Sequence, residues 1–203
     1  MEDDVTLPGW ATLAALDDAD ISLLGTALLI ARDEYPDLDP REYEAMVSQH
    51  VDQLRPRLED IEPGPMRMMA INQYLFDELG YAGNHDEYYD PRNSYLNEVF
   101  ERRLGIPISL AVLWLELARD IGLRVDGVGF PAHFLVQVHL GEGRVVIDPF
   151  TGQSLSPDEL RERLEDLSLP SPGQRGQAFP LLPYLGAASP RQILARMLAN
   201  LQA

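Results

Sequence analysis

The segment GIPISLAVLWLELAR, residues 105–119, constrains the fold of this chain more than any other stretch. From Leu110 to Ala118 every position except Glu116 is apolar, so a helix here has almost no polar face. A helix of this kind is buried on most sides, and the rest of the chain must therefore pack around it. Gly122 follows the segment and predicts its end, because glycine readily adopts the left-handed conformation that closes many helices.

Helices are predicted for the residues that precede this segment. Apolar positions recur at helical spacing in ADISLLGTALLIARDEYP and in PREYEAMVSQHVDQLRPRL, and MRMMAINQYLFDELGY continues the pattern. The loop AGNHDEYYDPRN follows, and NSYLNEVFERRLG then indicates another helix, which Gly105 is expected to end.

Strands are predicted for the residues that follow the segment. RVDGVGF, HFLVQVHL and RVVIDPF have the composition and period of strands, and GEG indicates a hairpin turn between the last two. Helices first and a sheet afterwards predict an α+β fold. SPDELRERLEDL indicates a further helix, with Ser156 or Asp158 near its start.

The chain divides into three predicted units. Residues 1–90 form an N-terminal helical lobe, residues 91–167 form the core with the buried helix and the sheet, and residues 168–203 form a proline-rich connector and a last amphipathic helix. That last helix carries an apolar stripe of Ile193, Leu194, Met197, Leu198 and Leu201. We interpret the stripe as an open face that awaits further chain beyond residue 203.

Composition excludes several classes of function. A net charge of -17 argues against nucleic acid or an anionic membrane as a partner, and basic ligands or simple solubility fit it better. The chain has no cysteine, which removes disulfides, thiolate metal sites and thiol nucleophiles. Because the start MEDDVTLPGW lacks the features of a signal peptide and no apolar run is long enough for a membrane span, we predict a soluble, cytoplasmic protein. The oligomeric state is left open.

Three polar residues in the second half of the chain have complementary chemistry. Ser109 lies at the predicted start of the buried helix, His133 opens a predicted strand, and Asp148 ends the next strand. A helix start offers free N–H groups and a dipole that stabilise an anion. His133 is suited to accept the hydroxyl proton of Ser109, and Asp148 is suited to orient the imidazole.

Each of these residues also has a structural interpretation. Ser109 is of a type that satisfies an orphan N–H group at a helix start, and His133 after Pro131 fits a core histidine. The Asp148–Pro149 step is a frequent turn device. Both interpretations stay open for all three residues.

Strand spacing alone does not assemble the triad. With a hairpin turn at residues 141–143, Asp148 faces about Val136, and His133 lies roughly 10 Å away along the strands. A tighter turn, a bulge or sheet twist is needed to bring the histidine and the acid together.

The histidines do not predict a metal site. His133 and His139 share a strand face but lie roughly 20 Å apart in an extended strand, too far to bind one ion. His85 has acidic neighbours in GNHDEYYD, a composition that a solvated loop explains, and no HExxH or EF-hand spacing occurs. The sequence predicts no metal and no cofactor.

The run DPRNSYLNEVFERRLGIPISLAVLWLELARDIGLRVDGVGFPAHFLVQVHLGEGRVVIDPF closely resembles the bacterial SirB family, a branch of the transglutaminase-like superfamily. The resemblance covers about residues 20–200 and implies a papain-like α+β core, with the buried helix packed on an antiparallel sheet. In the wider superfamily a Cys, a His and an Asp stand at the positions that match Ser109, His133 and Asp148. The resemblance further implies that the superfamily joins a histidine and an acid at this spacing.

Serine in place of the thiol resembles a trait of the SirB branch. A serine hydroxyl stays protonated near neutrality and needs a general base and an oxyanion hole. The candidate oxyanion donors are the backbone N–H of Ser109 and the side chain of Asn97, which is equally suited to be a buried structural amide. Members of the family often continue into tetratricopeptide-like repeats, and residues 193–201 resemble their point of attachment.

Three functions follow from these residues. The first is a catalytically degenerate transglutaminase-like domain with a protein-interaction or regulatory role and an unidentified protein partner. The alternative is a Ser-His-Asp hydrolase that acts on amide or ester bonds, for which Ser109 must lie within hydrogen-bond reach of His133, directly or through one water, with the other ring nitrogen facing Asp148. A third is a structural helical module that binds through its N-terminal helices.

Overall fold

The chain adopts a mixed helix and sheet fold in a computed structural model that describes residues 9–62, 64–141, 143–167 and 180–202. The predicted proline-rich connector lies largely outside the described residues. The helices are α1 Trp10–Ala15, α2 Leu23–Glu34, α3 Pro40–Leu54, α4 Pro65–Asn72, α5 Leu96–Arg102, α6 Pro107–Asp120, α7 Pro157–Asp166 and α8 Pro190–Asn200. The strands are β1 Ala82–Gly83, β2 Leu104–Gly105, β3 Val125–Val128, β4 Leu135–Leu140, β5 Gly143–Asp148, β6 Gln153–Leu155 and β7 Ala187–Ala188.

The helices begin where local chemistry satisfies their first N–H groups. Ser22 caps α2 by accepting the N–H of Gly25 at 3.1 Å, and Ser156 caps α7 in a reciprocal capping box with Glu159. The predicted helices before and after the sheet are confirmed. The prediction that α6 ends at Gly122 is also confirmed, since Gly122 has a φ of 83°.

The end of α5 differs from the prediction. Arg103 closes the helix in the left-handed conformation with a φ of 58°, so the prediction that Gly105 ends it is wrong. Gly105 instead pairs with Gly83 in the short β1–β2 ladder. A Cβ at Gly105 would lie 2.8 Å from the hydroxyl oxygen of Ser109, so this position requires glycine because the start of α6 approaches it closely.

The sheet is antiparallel throughout, with the strand order β6-β5-β4-β3-β7. The three predicted strands are confirmed, whereas the short strands β6 and β7 were not predicted. Leu140 pairs with Gly143 and Val136 pairs with Ile147, so the hairpin turn is tighter than the sequence analysis assumed. The same register places Asp148 opposite Leu135, one residue nearer to His133 than expected.

The apolar helix α6 lies at the centre of the molecule, as predicted. It contacts α2, α3 and α4 on one side and strands β3 and β4 on the other. Trp114 is completely buried, and its indole N–H donates to Oδ1 of Asn72 at 2.8 Å. The amide of Asn72 donates in turn to the carbonyl of Gly152, so the buried polar groups are paired across three elements.

The second face of the sheet is covered by α7. Side chains alternate along a strand, so Val136 and Ile147 face α6, whereas Leu135 and Val146 face α7. Leu160 belongs to this smaller apolar cluster with other α7 residues. The sheet therefore separates two apolar layers.

The last helix, α8, does not leave an open apolar face. Ile193 and Met197 are 1% and 0% exposed and belong to the same core as α2 and α6, while Leu198 remains exposed. The interpretation of the stripe as an open face is therefore wrong, because the N-terminal helices of this chain already cover it. One core joins all three predicted units, and their boundaries at residues 90 and 167 stay predictions.

Candidate functional site

Ser109 is the third residue of α6 and is completely buried. Its hydroxyl donates to the carbonyl oxygen of Asn93 at 2.6 Å and accepts the backbone N–H of Ile106 at 3.1 Å. Both the proton and an acceptor position of the hydroxyl are thus occupied by backbone groups. In this arrangement Ser109 fastens the chain at residue 93 to the start of α6.

A network of buried amides covers this serine. Asn93 is completely buried and accepts a hydrogen bond from the Asn84 amide at 3.1 Å. Its own amide donates to the carbonyls of Glu87 and Tyr88 at 2.6 and 3.2 Å. Asn84 also receives the N–H of Glu87, so both ends of the loop are held. Ser109 lies beneath this loop, which we call the cover loop, residues 84–95.

Phe150, which follows the end of β5, packs against the cover loop. Its ring lies 4.4 Å from the His85 ring and 5.9 Å from the Tyr88 ring, measured between centroids. Gly83 lies against the same ring, and a Cβ there would approach it to 2.3 Å. The backbone of Gly83 also donates to the carbonyl of Phe150 at 3.1 Å. The cover loop is therefore packed as well as hydrogen-bonded.

His133 lies in a turn rather than at the first residue of β4. The preceding residue, Ala132, has a φ of 56°, and the N–H of His133 donates to the carbonyl of Phe130 at 3.0 Å. Burial lowers the pKa of the imidazole below its usual 6.5, and the guanidinium of Arg163 lowers it further, against the opposing effect of Asp148. Both effects favour the neutral imidazole, and the side chain is half-buried.

Asp148 ends β5, as predicted, but its carboxylate is occupied. One oxygen accepts the N–H of Phe150 at 3.0 Å, and the other accepts a hydrogen bond from Arg163 at 2.9 Å. Only 4% of the Asp148 side chain is exposed, so the ion pair with Arg163 is largely desolvated. The acid thus interacts with α7 instead of orienting an imidazole.

The three predicted triad residues make no hydrogen bond with one another among the described residues. Strand alternation explains part of this arrangement. Asp148 shares the strand face of Val146, which packs on α7, whereas Ser109 belongs to α6 on the opposite face. His133 and Asp148 are near enough for their charges to interact, while Ser109 is sealed under the cover loop.

Asn97, the predicted oxyanion donor, makes no hydrogen bond with Ser109. It lies on α5 and lines a cleft of about 370 Å³ with Tyr35, Tyr43 and Glu101. Its side chain is almost completely buried, and its Oδ1 atom has no hydrogen-bond partner among the described residues. The amide is thus directed to a different part of the molecule from the serine.

The remaining histidines have individual partners. His139 contacts Asp126 at 2.6 Å, and His50 contacts the hydroxyl of Tyr74 at 2.8 Å. Across residues 9–62, 64–141, 143–167 and 180–202, no three or more His, Asp or Glu side chains are grouped to hold a metal ion. The absence of a metal and of a cofactor stays a prediction.

The residues that occupy the Ser109 hydroxyl, the cover loop and the Asp148 carboxylate were not predicted from the sequence. Asn93 and Asn84 stand in a polar loop whose composition fits a solvated surface. Arg163 lies on an amphipathic helix rich in charge, and no spacing rule connects it to Asp148. Long-range pairing of this kind is set by tertiary packing.

Comparison with known proteins identifies the class. A family model described as "Transglutaminase-like superfamily" matches residues 41–199, which include α6, the whole sheet and the cover loop. The chain therefore belongs to the transglutaminase-like superfamily. No solved structure matches the chain significantly.

The individual relatives are bacterial proteins and one group of eukaryotic proteins. A UPF0162 protein from Xylella fastidiosa is 52% identical over 203 residues, covering 99% of this chain and 71% of the relative. A UPF0162 protein from Pseudomonas aeruginosa is 33% identical, covering 96% of this chain and 69% of the relative. F-box only protein 21 from mouse is 40% identical over 91 residues, which are 45% of this chain and 14% of that protein.

The helices of the described ranges are too short or too polar to cross a bilayer. The longest, α3, has 15 residues, and a span needs about 20 apolar residues.

Proposed function

We infer that this transglutaminase-like domain works by binding a protein partner and does not use Ser109 as a nucleophile. The observation that carries this proposal is the sealed hydroxyl of Ser109, which donates to the Asn93 carbonyl at 2.6 Å in a completely buried position. A serine nucleophile must present its oxygen to a carbonyl carbon and pass its proton to a base. Neither step is open to a hydroxyl held in this way.

The state of the acid supports the same proposal. A triad needs its carboxylate beside the imidazole, to fix the tautomer and to stabilise the imidazolium that forms. In this chain Arg163 holds one oxygen of Asp148 and the backbone of Phe150 holds the other. The positive charge of Arg163 also disfavours a second positive charge on His133 during a reaction.

The hydrolase alternative requires a rearrangement. The cover loop must leave Ser109, the Asp148–Arg163 pair must open, and an oxyanion donor other than Asn97 must be found. One observation favours this alternative: Asp148 lies near enough to His133 to raise the pKa of the imidazole.

The partner is proposed to be a protein with a basic surface. The net charge of -17 favours such a partner electrostatically and disfavours polyanions. The resemblance to the SirB family implies a regulatory association, and F-box only protein 21 carries a similar segment within a much longer chain. A domain that recurs inside larger proteins is consistent with a binding module.

The experiment is labelling of the purified chain with a fluorophosphonate probe, which reacts with activated serines. Ser109→Ala and His133→Ala are run beside the wild type, and a known serine hydrolase serves as the positive control. We expect no labelling of the folded wild-type chain. Labelling that disappears in both variants would overturn the proposal and establish the hydrolase.

A further inference from the structure

Arg196 is an unusual cation in this acidic chain. It lies on α8, half-buried, with its guanidinium 5.8 Å from the centroid of the Phe134 ring. Its one hydrogen bond to a described residue is a long contact of 3.4 Å to the carbonyl of Phe130. No carboxylate of the described ranges forms an ion pair with it, although the chain has 33 acidic residues for 16 basic ones.

Desolvation without a carboxylate is unfavourable for a guanidinium. Burial lowers the pKa of Arg196, and the interaction with the Tyr88 hydroxyl opposes this only in part. Arg191, five residues earlier on the same helix, is fully compensated by comparison, since it pairs with Asp18 at 3.0 Å. A half-buried charge that the protein leaves unpaired is a frequent mark of a binding site.

Arg196 lines a cleft of about 410 Å³ between the end of the sheet and α8. The other described residues of its walls are uncharged, and they include Gly129, Pro131, Phe134, Tyr184 and Gln192. The volume is within the range of small-molecule sites, and the mixture of apolar walls and a few polar groups is typical of them. No acidic residue lines the cleft within the part of the chain that the structure describes.

The composition of the cleft selects the ligand class. A planar guanidinium matches the two oxygens of a carboxylate, and the Gln192 amide offers a further donor. A doubly charged phosphate generally requires more than one cation, and among the described residues of the lining only Arg196 is charged. Pro183 and the ring of Tyr184 suit an apolar or aromatic body attached to the carboxylate, whereas Phe134 is only 2% exposed and forms the floor beneath Arg196.

We propose that the Arg196 cleft binds a carboxylate group carried on an apolar or aromatic body. The carboxylate would lie on the guanidinium, near His133, and the body would lie against Pro183 and Tyr184. Two sources share this chemistry, a free organic acid and the C-terminal carboxylate of a peptide. The inference goes beyond the proposed function and does not depend on whether Ser109 reacts.

The test is a titration of the isotope-labelled chain followed by two-dimensional NMR. The first pair of ligands is N-acetyl-L-phenylalanine and its uncharged amide. The second pair is a pentapeptide ending in phenylalanine, with a free or an amidated C-terminus. We expect the acids to shift the resonances of Gly129 and Gly186, which line the cleft, and the amides to bind at least about tenfold more weakly.

Three variants separate a specific site from general charge. Arg196→Gln is expected to abolish the acid-dependent shifts, and Arg191→Gln, the matched control on the same helix, is expected to retain them. Gly186→Leu tests the cleft without altering the cation. A Cβ at Gly186 has no heavy atom within 4 Å, so the larger side chain can fill the cleft and block the ligand.

The outcomes are distinct. Equal binding of acids and amides, an equal loss in Arg191→Gln, or no shift with any of the four ligands would overturn the proposal. Should Arg196→Gln fail to fold, unchanged acid binding in Gly186→Leu would overturn it instead. Tighter binding of the free peptide than of N-acetyl-L-phenylalanine would support a peptide C-terminus as the ligand, and equal binding would support a small organic acid. Fluorophosphonate labelling tests Ser109 separately.

Discussion

The start of α6 and the Arg196 cleft are two polar regions that the fold treats in opposite ways. At the start of α6, Ser109 is completely buried and its hydroxyl is hydrogen-bonded to two backbone groups. In the cleft, Arg196 is half-buried without a carboxylate partner, beside uncharged walls. The first region has the packing of a core, and the second has the composition of a binding site.

The difference in hydrogen bonding between these two regions indicates which of them is available for function. Membership of the transglutaminase-like superfamily does not make a serine chemically available, since hydrogen bonds to the surrounding backbone can give it a structural role. Residues that violate the usual rules of burial and pairing are the better guide, because proteins retain such violations mainly at functional sites. By this criterion Arg196 ranks above Ser109.

The largest effect is expected from the cover loop. Asn93→Ala removes the amide that binds Asn84 and the carbonyls of Glu87 and Tyr88, and it leaves several buried groups unpaired. We expect a loss of about 3–4 kcal/mol in the free energy of unfolding, measured by urea denaturation. The control is the exposed Asn200→Ala, which is expected to change it by less than about 0.5 kcal/mol. A similar small loss for Asn93→Ala would contradict the sealed state of the loop.

The next effect concerns the acid of the predicted triad. Arg163→Gln leaves the desolvated carboxylate of Asp148 without its cation, for which we expect a loss of about 2–3 kcal/mol in the free energy of unfolding. The exposed pair of Arg55 with Asp52 at 4.0 Å provides the control, and Arg55→Gln is expected to cost less than about 0.5 kcal/mol. Equal costs would show that the Asp148–Arg163 pair contributes little.

The same variant has a consequence for His133. Burial lowers the pKa of His133 in the folded chain, and Arg163 lowers it further, so the unfolded chain binds more protons as the pH falls through 6.5. The contribution of His133 to the free energy of unfolding therefore falls as the pH is lowered below about 6.5. In Arg163→Gln the pKa of His133 is expected to rise and its contribution to that loss to shrink, which NMR titration of the imidazole measures. An unchanged pKa would contradict the proximity of Arg163.

A smaller effect is expected at Ser109 itself. Ser109→Ala removes a buried hydroxyl and leaves the Asn93 carbonyl and the Ile106 N–H without that partner. We expect a loss of about 1–2 kcal/mol in the free energy of unfolding, with carboxylate binding unchanged. The control is the exposed Ser48→Ala on α3. Loss of carboxylate binding in a folded Ser109→Ala variant would show that the start of α6 and the Arg196 cleft are coupled, which contradicts their separate roles.

The smallest effect is expected at Arg196. Because no carboxylate compensates its charge, Arg196→Gln is expected to change the free energy of unfolding by less than about 1 kcal/mol. The contrast with Arg163→Gln is the informative quantity, since both arginines are half-buried and only Arg163 has an acid. A cost at Arg196 as large as that at Arg163 would identify it as a structural residue.

Much of the fold was predictable because it rests on local patterns. The apolar run from Leu110 to Ala118 and the alternation in HFLVQVHL are periodic signals, and both identified their elements correctly. The end of α5 was mispredicted because Arg103 adopts a conformation that usually favours glycine. The stripe at Ile193 was misinterpreted because periodicity reveals an apolar face without showing what covers it.

The candidate site was less predictable because its state depends on contacts between distant residues. Sequence order indicated Ser109, His133 and Asp148 as candidate site residues, and their catalytic role stays a prediction. Sequence order does not indicate that the Ser109 hydroxyl donates to the backbone carbonyl of Asn93, 16 residues earlier in the chain. It also does not indicate that Arg163 forms an ion pair with Asp148, 15 residues earlier. These pairings decide whether the residues are available for chemistry.

The central claim, that position 109 is sealed, is tested most directly by replacing its oxygen with sulfur. Because the chain has no cysteine, Ser109→Cys carries a single thiol, and its reaction with a thiol reagent reports access to this position alone. Ser48→Cys, at an exposed position, is the reference. We predict that the thiol at position 109 reacts orders of magnitude more slowly than the reference and reacts fully only after unfolding. A rate equal to or faster than the reference would contradict the account and reopen the case for a nucleophile at the start of α6.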